Sequence, residues 1–227
     1  MTSNALIFGS IDSLVDTSEL ELRAHNDVFA RFDLDWNWSH DTMASLRPLP
    51  SRMARIDEYG FRSGDLLSHH VLVDLHDEVQ QTYAEAISHA GVARTGVREL
   101  IESARSAGWA IALVTPESRE IATATTEVSG IYVDHVIDDV QPSVNSQTRM
   151  QICFDTIGVR PADAIVVVES LQSRDAVVST GAPVVVFPGE KDRRDVEISG
   201  VAAVVGDRIP TVEGLARLLG RHQVGVS

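Results

Sequence analysis

Cysteine is nearly absent: Cys153 is the only one in 227 residues. No intrachain disulfide can form, which fits a reducing compartment, and a cytoplasmic setting is expected. Cys153 falls in an apolar-periodic stretch and reads as a buried core thiol. Lysine is as scarce: Lys191 is the only one, and none precedes it. Positive charge is short overall, with 19 Lys and Arg against 33 Asp and Glu, a formal net charge of −14. Such a surface repels polyanions, which argues against nucleic acid as a partner and against docking on anionic membranes. No segment approaches the roughly 18 apolar residues of a membrane span. Met1 to Phe8 has neither a basic n-region nor a long apolar run, so no signal peptide is expected. Internal repeats and low-complexity tracts are also missing.

What remains is an ordinary globular balance, 44% hydrophobic and 23% charged, with enough length for one α/β domain plus a smaller insertion. Ala5-Leu6-Ile7-Phe8 is a short apolar run closed by Gly9-Ser10, the pattern of a strand buried on both faces. Helical spacing follows from Asp16 to Phe32, and a short helix opens at Ser39-His40-Asp41 before Pro48 and Pro50. A long helix is predicted from about Asp65 to Ala90, with Leu66, Leu67, Val71, Leu75, Val79, Tyr83 and Ile87 on its apolar stripe. After Gly91 the pattern changes. Apolar runs at Ala110–Val114, Tyr132–Ile137, Ala164–Val168, Pro183–Phe187 and Ala202–Val205 alternate with short amphipathic helices. That alternation means βαβ units and a parallel sheet. The all-helical stretch between the first strand and the rest reads as an inserted cap.

Four segments, ALIF at 5–8, LVDTSELELRAHNDVFARFDLDWNWS at 14–39, GVRELIESARSAGWAIALVTPESRE at 96–120 and GVRPADAIVVVESLQSRDAVVSTGAPVVV at 158–186, together resemble the haloacid dehalogenase superfamily. The likeness is to its β-phosphoglucomutase-like and CbbY-like branch and spans nearly the whole chain in order and spacing. It implies an α/β fold: a Rossmann-like core with a parallel sheet and an inserted helical cap domain. The core is expected at 1–16 and 92–227 and the cap at 17–91.

The same resemblance implies a phosphohydrolase site that this sequence does not reproduce. The family carries Asp-x-Asp-Gly-Thr after its first strand, a carboxylate nucleophile two residues from a carboxylic acid/base, because alternate residues at a strand end face one way. In the ungapped match Gly9 stands for the nucleophile, Ile11 for the acid/base, Asp12 for Gly and Ser13 for Thr. A shifted register would instead put Ser10 and Asp12 at the two key positions, where Ser10 lacks an evident activating base. Thr115 matches the Ser or Thr that holds the phosphoryl group. Gln141, in Asp138-Asp139-Val140-Gln141-Pro142, stands for the charge-neutralising Lys, and a neutral amide loses that Coulombic stabilisation. Arg149 is the nearest cation, with a solvated helix face as its default place. Glu169-Ser170 replaces the acidic pair that holds Mg²⁺, leaving Glu169, Ser170 and Asp12 as a residual metal set for an ion that prefers octahedral oxygen ligation.

In the cap, Arg52 is a candidate phosphate ligand with Thr115 and Ser13, since a guanidinium forks onto phosphate oxygens. Glu21 stands near the family's common His, and a carboxylate there repels phosphate. His69, His70 and His76 read as helix surface, Trp36 and Trp38 as packing, and Asp192-Arg193-Arg194-Asp195 as a solvated loop. The expectation is a catalytically inactive relative that binds a phosphorylated small molecule, or serves a protein partner or a homodimer, without a cofactor. The alternative is an active phosphatase on a small sugar phosphate at a non-standard site, and only this alternative requires Mg²⁺.

Overall fold

The computed structural model describes residues 4–47, 49, 51–138, 146–188, 202–204 and 208–223. Its strands are the apolar runs of the sequence: β1 (Ala5–Phe8), β2 (Ala110–Val114), β3 (His135–Ile137), β4 (Ala164–Val168), β5 (Val184–Val186) and β6 (Ala202–Val204). All pair in parallel, in the order β3-β2-β1-β4-β5-β6. β1 and β4 are neighbours although about 150 residues separate them, with Phe8 opposite Val167. The chain order reverses at this pair, and open α/β sheets place ligands beyond the carboxyl ends of strands at such a reversal.

The strands are apolar on both faces because both are covered. On one face Ile7, Ala112, Val166 and Val184 join Met150, Cys153 and Phe154 of α7 (Ser146–Ile157) and Val177 of α8 (Leu171–Val178). Burial pushes the Cys153 thiol up to about 12, so it is an inert packing group. α5 (Val97–Ser106) packs on β1 and β2 without joining that cluster and so takes the other face, with α9 (Val212–Gln223) against it. α6 (Arg119–Val128) lies along β3.

The chain divides into two compact units, one of residues 1–16 and 90–227, the other of residues 17–89. The second is helical: α1 (Ser18–Arg31), α2 (His40–Leu46), α3 (Arg52–Ser63) and α4 (His69–Ala90). Phe29, Trp36, Trp38, Leu46, Ile56, Leu75 and Val79 form its core. Trp36 and Trp38 meet Phe29 edge-on, and the Trp36 Nε1–H donates to Asp65 at 2.8 Å.

Two features depart from the sequence reading. α3 was not predicted, because its apolar stripe is thin and charges crowd its other side. Its ends are nonetheless written in the sequence: the Ser51 hydroxyl accepts from the Ala54 N–H, and Gly64 closes the helix at φ +82°. The helix expected from Asp65 starts only at His69, with the Ser68 hydroxyl accepting from the Val71 N–H. Its inner stripe is therefore Leu72, Leu75, Val79, Tyr83 and Ile87, while Leu66 is 80% exposed and Val71 37%.

The two segments of the first unit are sewn together by Arg94. Its guanidinium donates to the carbonyls of Asp12 (3.1 Å), Phe187 (2.5 Å) and Pro188 (2.5 Å) and lies 3.7 Å over the Phe187 ring. Beside it Val15 and Ala93 form an antiparallel bridge. Gly96, at φ +86°, opens α5 where a Cβ would strike the carbonyl oxygen of Ile209. Gly96→Ala is expected to cost about 2 kcal/mol or more, from the left-handed backbone and the collision together, read as a lower urea midpoint.

Candidate functional site

A cavity of about 200 Å³ opens beyond the carboxyl ends of β1, β2 and β4. Gly9, Ser10, Asp12, Thr115, Arg149, Glu169 and Ser173 line it. It is smaller than the roughly 300–1,000 Å³ of drug-sized sites and suits a single small head group.

Its back wall follows from the β1–β4 register. The Gly9 N–H donates to the Val167 carbonyl at 2.7 Å, so Gly9 runs against Val168. A Cβ on Gly9 would lie 2.7 Å from Val168 Cγ1, inside any real contact. The β-branched valine is stiff and cannot swing away. Glycine is thus fitted to this position, and a side chain there needs a smaller partner on β4.

After Gly9 the chain turns into a 3-10 helix, Ile11–Ser13. Ile11 is buried at 3% exposure and offers no titratable group. Ser13 does not line the cavity: it is fully buried, and its hydroxyl donates to the Ser10 carbonyl at 2.6 Å. Its expected phosphate contact gives way to closing the turn. Ser10 is extended and points across to β4. Its hydroxyl donates to Glu169 Oε2 at 2.8 Å, a carboxylate neighbour that the sequence alone did not make evident.

Glu169 is the hub. The Ser173 hydroxyl donates to its Oε1 at 2.6 Å. The Ser170 hydroxyl has one proton to share between Glu169 Oε1 at 3.1 Å and the Ser173 oxygen at 3.0 Å. Ser170 also accepts the Ser173 N–H at 3.1 Å as the N-cap of α8. O–H donors to a carboxylate are among the stronger hydrogen bonds. Sequence reading missed Ser173, although Ser170-x-x-Ser173 after an acidic residue carries a capping signal.

Thr115 ends β2, is 1% exposed, and its hydroxyl oxygen accepts the Glu117 N–H at 3.1 Å. Arg149 lines the cavity and is half-buried, which corrects its assignment to a solvated face. Gln141 and the segment around it lie outside the described residues, as do Pro48, Pro50, Lys191 and the 192–195 loop. Arg52 belongs to the helical unit. Its guanidinium donates to Gln80 and to Glu21 (3.4 Å) and lies 4.8 Å over the Tyr83 ring. Arg55 meets the same Glu21 oxygen at 3.5 Å.

Burial would raise the Glu21 carboxyl, but Arg52 and Arg55 outweigh it and hold the group below its usual range. His25, fully buried, stacks on Trp38 at 4.3 Å and uses Nδ1 against the Glu21 carbonyl at 2.8 Å. Its Nε2 has no hydrogen-bond partner. Burial, aided by Arg52 and Arg55 against the pull of Glu21, pushes His25 from 6.5 down to about 4.

Mg²⁺ fits this set poorly. Glu169 already accepts from Ser10 and Ser173, position 9 has no side chain, and Ile11 offers no ligand atom on its side chain. Among the described residues no group of three or more His, Cys, Asp or Glu could hold a metal ion.

The parallel sheet with its helices and its ligand-sized opening at the β1–β4 reversal defines a Rossmann-like core of the haloacid dehalogenase type. No family model matches the chain. Among curated proteins, CbbY of Rhodobacter capsulatus is 27% identical over 203 residues, covering 86% of this chain and 89% of that protein. Among solved structures, a CbbY variant from Rhodobacter sphaeroides in complex with xylulose-(1,5)bisphosphate matches with a TM-score of 0.79 at 22% identity, over 95% of this chain and 99% of that one. β-Phosphoglucomutase from Clostridium difficile matches with a TM-score of 0.72 at 17% identity, over 98% and 99%. The chain is similar in sequence to CbbY proteins and shares the fold of CbbY, β-phosphoglucomutase and other haloacid dehalogenase-like structures.

Two outcomes are expected. Gly9→Asp alone is expected to lower the melting midpoint and to give no phosphatase activity, and adding Val168→Ala is expected to recover part of that midpoint. For His25, the unfolded state binds a proton near pH 6.5 and the folded state only near pH 4. Stability is therefore complete above about pH 6.5 and falls as pH drops toward 4, by up to about 3 kcal/mol. Urea denaturation across that range is expected to show the slope in the native protein and a flatter one in His25→Phe.

Proposed function

We propose that this chain is a catalytically silent member of its superfamily that binds a small phosphorylated molecule in the cavity between β1, β2 and β4. One observation supports the first half: Gly9, which the ungapped match sets at the family's nucleophile position, is packed against Val168 with no room for a side chain. Loss of a nucleophile alone costs several orders of magnitude in rate. Ile11 removes the proton donor as well, so only binding and orientation remain. The Thr115 hydroxyl and the Arg149 guanidinium, both in the lining, support an anionic head group. The xylulose-(1,5)bisphosphate held by the similar CbbY structure supports a phosphorylated one.

A second reading rests on a different contact. Asp12, Thr115 and Glu169 share one cavity, and Ser10 donates to Glu169. A phosphohydrolase could be assembled from these groups. Purified protein incubated with a panel of sugar phosphates and MgCl₂ separates the two. Phosphate release is expected to stay at the blank. Release that disappears in Asp12→Asn or Ser10→Ala would establish the second reading and end the first.

A further inference from the structure

We infer that the cavity is a metal-free anion site, in which the Ser10 and Ser173 hydroxyls and the Arg149 guanidinium replace the divalent cation of a haloacid dehalogenase centre. This rests on the binding role proposed above and names how that binding is achieved.

The argument is one of charge. A carboxylate at the edge of a cavity that receives an anion must be neutralised, or it repels the ligand. A divalent cation does this by drawing carboxylate and phosphate oxygens to itself. Here Glu169 faces hydroxyl protons instead, at 2.8 Å from Ser10 and 2.6 Å from Ser173. An ion binding Glu169 would have to break these contacts and find its other ligands among hydroxyls and carbonyls.

The second carboxylate, Asp12, also lines the cavity, on a turn whose backbone carbonyl accepts from Arg94 at 3.1 Å. Arg149 supplies a further positive charge in the lining itself. The Arg149 charge and the hydroxyl protons on Glu169 offset the carboxylates of the lining with no metal. The ligand class that follows is a phosphate monoester or inorganic phosphate, taken up through Arg149 and the Thr115 hydroxyl, with affinity indifferent to Mg²⁺.

The test uses the full chain with two probes, MgCl₂ alone and inorganic phosphate, read by calorimetric titration and by melting midpoint. MgCl₂ is expected to leave the midpoint where NaCl of equal ionic strength leaves it. Phosphate is expected to bind with the same affinity, within about twofold, in EDTA and in MgCl₂, and about tenfold more weakly in Arg149→Gln. A rise of about tenfold or more in phosphate affinity on adding MgCl₂, lost in Glu169→Gln, overturns the inference. Unchanged affinity in Arg149→Gln overturns it too. If phosphate binds under neither condition, the binding role fails and the anion site with it, while the MgCl₂ arm separately decides the metal: a midpoint shift that Glu169→Gln abolishes shows that Glu169 holds the cation, and no shift shows that only the anion was wrongly assigned.

Discussion

The parallel pairing of β1 with β4 is the constraint from which the site follows. With Phe8 opposite Val167, Gly9 runs beside Val168 and the next residue, Ser10, reaches Glu169. Backbone register, fixed by two apolar strands buried on both faces, therefore decides which side chains meet at the sheet's reversal point. Here it brings a glycine against a valine and a serine against a glutamate. The strands below the site are held by packing rather than by the residues that end them.

The residues of the site are mutually consistent. A bulky β-branched Val168 is tolerated because position 9 lacks a side chain. Glu169 is tolerated in a half-buried place because serines surround it. Restoring one group at a time meets the others as obstacles, the usual behaviour of residues that share a cavity. In the helical unit the same logic appears with opposite partners: Glu21 lies between Arg52 and Arg55, so each charge there already has a counterion.

Much of this was legible in the sequence. Short apolar runs bounded by Gly, Pro and polar residues mark parallel strands, and Ala5–Phe8, Ala110–Val114 and Ala164–Val168 read cleanly for that reason. The end of the first strand was legible too, and with it the place of Gly9 in the cavity lining. Three things were hidden. α3 is too polar for periodicity to reveal, although Ser51 and Gly64 mark its ends. The direction of Arg149 depends on how α7 is rotated over the sheet, which no single residue encodes. The meeting of Ser10 with Glu169 joins residues 159 apart and exists only once β1 and β4 are adjacent.

The Val15–Ala93 bridge sets the exit and the return of the chain side by side, where antiparallel partners sit about 4.5–5.5 Å apart. A gap of that width is one that a two-residue hairpin turn spans. The α/β unit thus owes nothing to the intervening 73 residues for the closure of its own backbone. In folding terms they are a loop insertion, whose entropic cost grows only with the logarithm of its length. The strand framework therefore leaves evolution free to exchange the whole helical unit without redrawing the sheet.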